Sequence, residues 1–154
     1  MSQPVVIEGL AGLQERVGTE LGVSDWNEVT QENITTFAKL TGDEQYIHVD
    51  PERAAAGPFG TTIQHGFLTL GMSTGLLWSI CTVEGFNVIL NYGLNKVRFT
   101  APVPVGSRLR ARMKLLACES IDNDGVQMTW LVTVEREGSD KPVCIAESLS
   151  RRYP

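Results

Sequence analysis

At 154 residues and 42% hydrophobic content, the chain is long enough to bury one core and too short for two ordinary domains. A formal net charge of −5 removes any global attraction to nucleic acid or to an anionic membrane, which rests on clustered Lys and Arg. Cys81, Cys118 and Cys144 form no CxxC pair and no Cys/His cluster, a pattern that excludes a disulfide framework and a zinc site and fits a reducing cytoplasm.

The stretch from Met1 to Leu13 has no basic residue and no cleavage-like pattern, so neither a secretory signal nor a transit peptide is expected. A weak strand pattern runs near Val17 to Val23. Thr30 is placed to cap a helix whose first turn holds Gln31 and Glu32; Ile34, Phe37, Ala38 and Leu40 then recur near helical spacing until Gly42 can end it. Asp43 follows that stop. Asp50 as cap with Pro51 at the first helical position predicts a second, short helix over 51–56, which leaves His48 in a loop between the two. Gly57-Pro58-Phe59-Gly60 is a turn signal.

Beyond it a long apolar helix is expected from Gly66 to about Cys81. No charge falls between His65 and Glu84, but the glycines, serines and threonines in that run favour a buried helix over a membrane span. Apolar on all sides, such a helix should be wrapped, with Gly71 and Gly75 at close helix-to-sheet contacts. The chain supplies strands for this around Asn87 to Asn91 and Lys96 to Thr100. A further strand has Leu109, Ala111, Met113, Leu115 and Ala117 alternating with Arg108, Arg110, Arg112 and Lys114. The same period of two recurs from Val126 to Val134, and another strand is expected from Val143 to Arg151. Asp122-Asn123-Asp124-Gly125 and Glu137-Gly138-Ser139-Asp140 are hairpin signals. The expected architecture is a single α+β domain over 1–154, a curved antiparallel sheet wrapped around a long central helix, the hot-dog arrangement.

The chain has two histidines, His48 and His65, both in polar or Gly-rich stretches. An Asp five positions before a His is by itself ambiguous, since Asp43 serves equally as a turn residue and His48 as a surface residue bonded to Asp50. The wider segment from Gly42 to Gly66, GDEQYIHVDPERAAAGPFGTTIQHG, resembles the signature of the MaoC-like dehydratases, also called the enoyl-CoA hydratase 2 family. Asp43, His48, Asp50, Phe59, Gly60, Ile63, His65 and Gly66 fall on matching positions, and NYGLNKVRFTAPVPVGSRLR is similar to that family's strand pair after the helix. Gln45 and Tyr46 depart from it, standing where many members carry Asn-Pro, and Thr74 stands where some carry a supporting Ser.

The resemblance implies reversible hydration of a trans-2-enoyl-CoA to the (3R)-3-hydroxyacyl-CoA. Such a reaction needs a base for water, a proton for the α-carbon and a partner for the enolate-like oxygen. Asp43 and His48 are the candidates for holding the water, and the Gly66 amide at the helix N-terminus for the oxygen. His65, Thr74 and Gln45 are supporting candidates. Lys96, Arg98, Arg108 and Arg110 are candidates for coenzyme A phosphates, although a strand face of basic residues is equally a solvated surface. No metal or separate cofactor is expected, coenzyme A being part of the substrate, and the expected assembly is a homodimer with no nucleic-acid partner and no membrane span. A hot-dog thioesterase and a non-catalytic acyl-CoA-binding subunit remain alternatives.

Overall fold

The structure, a computed structural model, describes residues 4–154. In chain order the elements are β1 (Val5–Glu8), α1 (Gly9–Arg16), β2 (Glu20–Val23), β3 (Asn27–Glu28), α2 (Gln31–Thr41), α3 (Tyr46–Val49) and α4 (Pro51–Ala55). They are followed by α5 (Gly66–Trp78), β4 (Cys81–Glu84), β5 (Val88–Arg98), β6 (Arg108–Ile121), β7 (Gly125–Arg136) and β8 (Cys144–Tyr153).

The main sheet is antiparallel, in the order β2-β6-β7-β8-β5, with β3 also paired to β6. The hairpin between β6 and β7 connects paired Ile121 and Gly125 through three residues, of which Asn123 and Asp124 take left-handed φ of 60° and 54°. Register shifts between Leu115 and Ala117 in β6, and between Asn91 and Gly93 and between Leu94 and Lys96 in β5, mark bulges that increase local twist and curve the sheet. Inward-facing Leu109, Ala111, Met113, Leu115, Met128, Trp130, Val132 and Val134 are buried and form the core face, each fully buried aliphatic contributing on the order of 1.5–3 kcal/mol. This is the α+β hot-dog arrangement, with α5 as the central helix over the concave face.

Several details differ from the sequence reading. The stretches around 87–91 and 96–100 are one continuous strand, β5, at the sheet edge. A short parallel pair, β1 with β4, and helix α1 were not anticipated. The central helix stops at Trp78, because Cys81 is taken up by β4 beside Val5. That helix is only partly wrapped: Thr69, Ser73 and Leu76 are buried, while Phe67 is 70% and Trp78 49% exposed. Nothing lies within 4 Å of a Cβ built on Gly71 or Gly75, so these glycines face open space and not the sheet. Among the described residues no helix is long and apolar enough to cross a membrane.

Candidate active site

Two capped helices frame the site. Thr30 accepts a hydrogen bond from the Asn33 N–H, and α2 ends at Gly42 with φ of 77°, a left-handed C-cap that glycine adopts without strain. The chain therefore turns sharply at Asp43. Asp50 accepts from the Arg53 N–H and caps α4, with Pro51 in its first turn. Between them His48 lies not in a loop but on the one-turn helix α3, where its ring is buried, at 7% exposure.

The ring orientation follows from one hydrogen bond. His48 Nδ1 lies 2.7 Å from the Ile63 carbonyl oxygen, which can only accept, so Nδ1 carries the proton and Nε2 of the neutral ring presents a lone pair. The same reasoning applies to His65, whose Nε2 donates to the Asp43 carbonyl over 2.9 Å and so fixes the turn that carries the Asp43 carboxylate. The two imidazoles stack, with centroids 3.7 Å apart and planes 22° apart, and the Phe37 ring lies against His65, tilted, with centroids 4.9 Å apart. A carboxylate oxygen of Asp43 and ring nitrogens of His48 and His65 lie within 4.8 Å of one another, Asp43 exposed and both histidines buried.

Such a cluster could in principle take a cation. Near-parallel rings 3.7 Å apart argue against it, because an ion about 2 Å from both nitrogens would sit well out of at least one ring plane. A water molecule, which needs hydrogen bonds and not in-plane ligation, suits the cluster better.

Gly66 is the first residue of α5, so its N–H lies outside the intrahelical ladder, at the positive end of the helix dipole. His65, its neighbour, is the N-cap, which ties the helix start to the histidine stack. A Cβ on Gly66 would meet the Phe99 ring at 2.6 Å, so the glycine admits this close approach. Phe99 in turn meets Phe67 edge-on at 5.6 Å.

Several site residues were not visible in the sequence. Gln31 donates to the His48 carbonyl at 2.8 Å and accepts from the Thr62 hydroxyl at 2.6 Å, bracing α3 from α2. Gln64 donates to the Thr69 hydroxyl at 2.7 Å. Gln45 is exposed and contributes only its backbone, its carbonyl accepting from the His48 N–H at 2.9 Å. Tyr46 stacks under the Arg53 guanidinium at 4.1 Å and lies against Gly57, which holds the variant loop. Thr74 is not brought to the cluster: it lies two turns further along α5, about 12 Å from Gly66 at 1.5 Å per residue, and lines a separate cavity.

The basic candidates divide. Arg108 pairs with Glu137 at 3.0 Å and Arg110 with Glu135 at 2.7 Å, on the outward face of β6, opposite the inward Met113. They are thus neutralised and turned away from the site, and the solvated-surface reading fits them. Lys96 and Arg98 are exposed on β5 just before Phe99, with no carboxylate within ion-pair distance among the described residues.

Residues 13–137 match the family model described as MaoC like domain. The chain belongs to the MaoC-like family. The 3-hydroxyacyl-thioester dehydratase Z of Mycobacterium tuberculosis is 56% identical over 94% of this chain and 95% of that protein. Nodulation protein N of Rhizobium leguminosarum bv. viciae is 45% identical over 89% of this chain and 86% of its own length. Among solved structures, an (R)-hydratase from A. caviae involved in PHA biosynthesis superposes with a TM-score of 0.71 at 23% identity, covering 90% of this chain and 96% of that one. A monoamine oxidase regulatory protein from Archaeoglobus gives a TM-score of 0.78 at 23% identity, covering 99% of both chains. At such identity these structural likenesses establish the hot-dog fold, and the MaoC-like assignment rests on the family match and the closer relatives.

Proposed function

We propose that this MaoC-like protein is a hydro-lyase that adds water reversibly to a trans-2-enoyl thioester of coenzyme A, giving the (3R)-3-hydroxyacyl thioester. The observation that carries this reading is the His48 ring, held through Nδ1 by the Ile63 carbonyl and placed in one cluster with the Asp43 carboxylate. Two acceptors side by side can each take one hydrogen of a single water, leaving an oxygen lone pair free for the β-carbon. As the C–O bond forms, Asp43 takes a proton from the water, and negative charge moves through the double bond to the thioester oxygen. That oxygen is received by the Gly66 N–H at the α5 N-terminus, where the dipole stabilises developing negative charge. The proton then passes to the α-carbon, so one water supplies both the hydroxyl and the hydrogen, and no group is left altered.

The acyl chain is assigned to the cavity of about 370 Å³ between α5 and the inner faces of β5, β7 and β8. Phe67, next to Gly66, lines it, so the reacting carbons and the tail share one helix as their wall. Lys96 and Arg98, near Phe99, are the basic residues left to meet coenzyme A phosphates. The assembly is a homodimer: β5 has no neighbour on its outer edge among the described residues and exposes Val88, Leu90 and Leu94 beside exposed Phe67 and Trp78.

The test is incubation with crotonyl-CoA and longer enoyl-CoAs, following loss of the conjugated double bond together with release of free thiol. Hydration without thiol release, lost in Asp43→Asn and in His48→Gln by at least a hundredfold in kcat, is expected. Thiol release without hydration would establish a thioesterase instead, and near-wild-type hydration by both variants would remove the site assignment.

A further inference from the structure

The cavity assigned to the acyl chain is apolar along most of its wall, yet a charge sits in it. Arg152 projects from the inner face of β8 and lines the cavity with Ser150 and Cys81, at the end of α5 remote from Gly66. It is 7% exposed. A guanidinium cannot shed its proton at any ordinary pH, so burial leaves it in need of an anion or a full set of acceptors.

Arg152 has neither. Among the described residues no carboxylate lies within ion-pair distance, and no acidic residue lines the cavity. Its Nε is buried without a partner, and the one hydrogen bond it makes runs from Nη1 to the Val83 carbonyl at 3.5 Å, the long limit for such a contact. By contrast, Arg110 and Arg112 on the opposite face of the sheet have donors taken up by Glu135. The surroundings also present further polar atoms at this end: Ser150 accepts from Trp130 Nε1 at 2.8 Å and lines the same wall.

We propose that Arg152 is a specificity-determining residue that receives a carboxylate at the distal end of the acyl chain, so that the cavity selects acyl thioesters carrying an ω-carboxyl group over those ending in methyl. The inference rests on the acyl-chain assignment made above. The lining of the cavity follows α5 from Phe67 to Trp78, ~16 Å at the helical rise, which sets the span between the thioester and the guanidinium. A bidentate carboxylate would take up donors that now lack acceptors, and it would do so in surroundings of low polarity where a charge-assisted bond is strong. The desolvation that lowers the Arg152 pKa is the cost that such a ligand relieves.

The test compares matched pairs of acyl-CoAs that differ only in ending with carboxylate or methyl, across lengths of about eight to sixteen carbons to bracket that span. Affinity is read by calorimetry with saturated acyl-CoAs on the wild-type protein and on Arg152→Met and Arg152→Lys; turnover is read with the corresponding enoyl-CoAs. The expected result is at least tenfold tighter binding of the carboxylate-ended member at one length in the wild type, a smaller preference in Arg152→Lys, and its loss or reversal in Arg152→Met. Tighter binding of the methyl-ended chain by the wild type at every length would overturn the proposal without any variant having to fold. A carboxylate preference that survives in Arg152→Met would overturn it as well. Preferential binding with no hydration of either member would retain the Arg152 site and remove the hydratase reading; hydration with no carboxylate preference would do the reverse.

Discussion

Replacing Gly66 by alanine separates the two roles that the structure gives this residue. The added Cβ would lie 2.6 Å from Phe99 Cδ2, 2.7 Å from Cγ and 2.9 Å from Cε2, where ordinary carbon contacts are about 3.5–4.0 Å. The crowding involves the base of the ring and not only its tip, so Phe99 must move by roughly 1 Å, and overpacking of this kind costs about 1–3 kcal/mol. Against it, alanine recovers roughly 0.5–1 kcal/mol of backbone entropy in a helix. The net loss is on the order of 1 kcal/mol, or a fall in melting temperature of about 2–4 °C for a domain of this size. In a Phe99→Ala background the clash is gone, and Gly66→Ala should become neutral or stabilising, a coupling of about 1–2 kcal/mol in the double-mutant cycle. Activity should behave differently. A methyl beside the Gly66 N–H crowds the place assigned to the thioester oxygen whether or not Phe99 is present, so the loss in kcat/KM, at least tenfold, should persist in the double variant. Thermal unfolding and the decay of enoyl absorbance measure the two effects. Recovery of activity in the double variant to the level of Phe99→Ala alone would show that the glycine serves packing only, and would refute the amide's part in the chemistry.

Other outcomes follow from contacts outside the reacting atoms. Gln31→Leu removes both the bond to the His48 carbonyl and the acceptor of the Thr62 hydroxyl, and should lower stability by about 1–3 kcal/mol and reduce kcat more than it raises KM, checked by denaturant unfolding and steady-state kinetics. Glu135 is partly desolvated, which alone would raise its pKa, but hydrogen bonds and charge from Arg110 and Arg112 outweigh this and hold it below the usual Glu value. Its folded pKa being depressed, its contribution is present above the unfolded value and lost as pH falls through the lower folded one; Glu135→Gln should flatten that part of the stability-against-pH curve, by under about 1 kcal/mol because the pair is partly solvated and screened. Burial pushes the Cys144 thiol up to about 11, so it should not react with a thiol reagent at pH 8 until the protein unfolds, and prompt labelling of Cys144 would contradict its place in the core. If the proposed dimer joins through β5, Leu90→Lys should shift it from dimer to monomer in light scattering; a dimer unchanged by Leu90→Lys would place the interface elsewhere, and a wild-type monomer would refute the dimer.

The parts of this fold legible in the sequence are those written by local chemistry. Thr30, Gly42, Asp50 and Pro51 end or begin helices where capping and left-handed backbone require those residue types, and the alternation in β6 and β7 reflects strands with one buried and one solvated face. Where a local device is missing, the reading fails. Helix α1 begins without a side-chain cap after Glu8 and buries only Leu13, so it carries neither a capping signal nor an apolar stripe. Strand β5 is exposed or half-buried along its whole length, and an edge with no buried face writes no period of two; its bulges break what pattern there is. The site divides in the same way. Asp43, His48, His65 and Gly66 stood out through the family signature, but Gln31 and Phe99 act across long sequence separations and look like ordinary first-turn and strand-end residues. Thr74, marked by its family position as a supporting hydroxyl, lies two turns along α5 from Gly66, on the wall of the cavity and not in the cluster.

The composition of α5 also acquires a reason that periodicity alone could not give. A helix apolar on every side is expected to be enclosed on every side, yet here the residues buried against the chain's own sheet include Thr69 and Ser73, whose hydroxyls bond to the Gln64 amide and the Leu70 carbonyl. Phe67, Leu70, Leu77 and Trp78 line the cavity between α5 and the sheet, together with Ser73. The helix thus meets the core through Leu68, Leu70, Leu76 and Leu77, while the cavity between it and the sheet and the exposed Phe67 and Trp78 leave apolar surface available to something that is not part of the fold. An acyl chain and a second copy of the chain are both of that kind, and each would supply the burial that the sheet does not. On this view the uninterrupted run without charge from Gly66 to Val83 encodes binding as much as folding, and the single charge that faces the same space, Arg152, gains its meaning from the apolar wall around it.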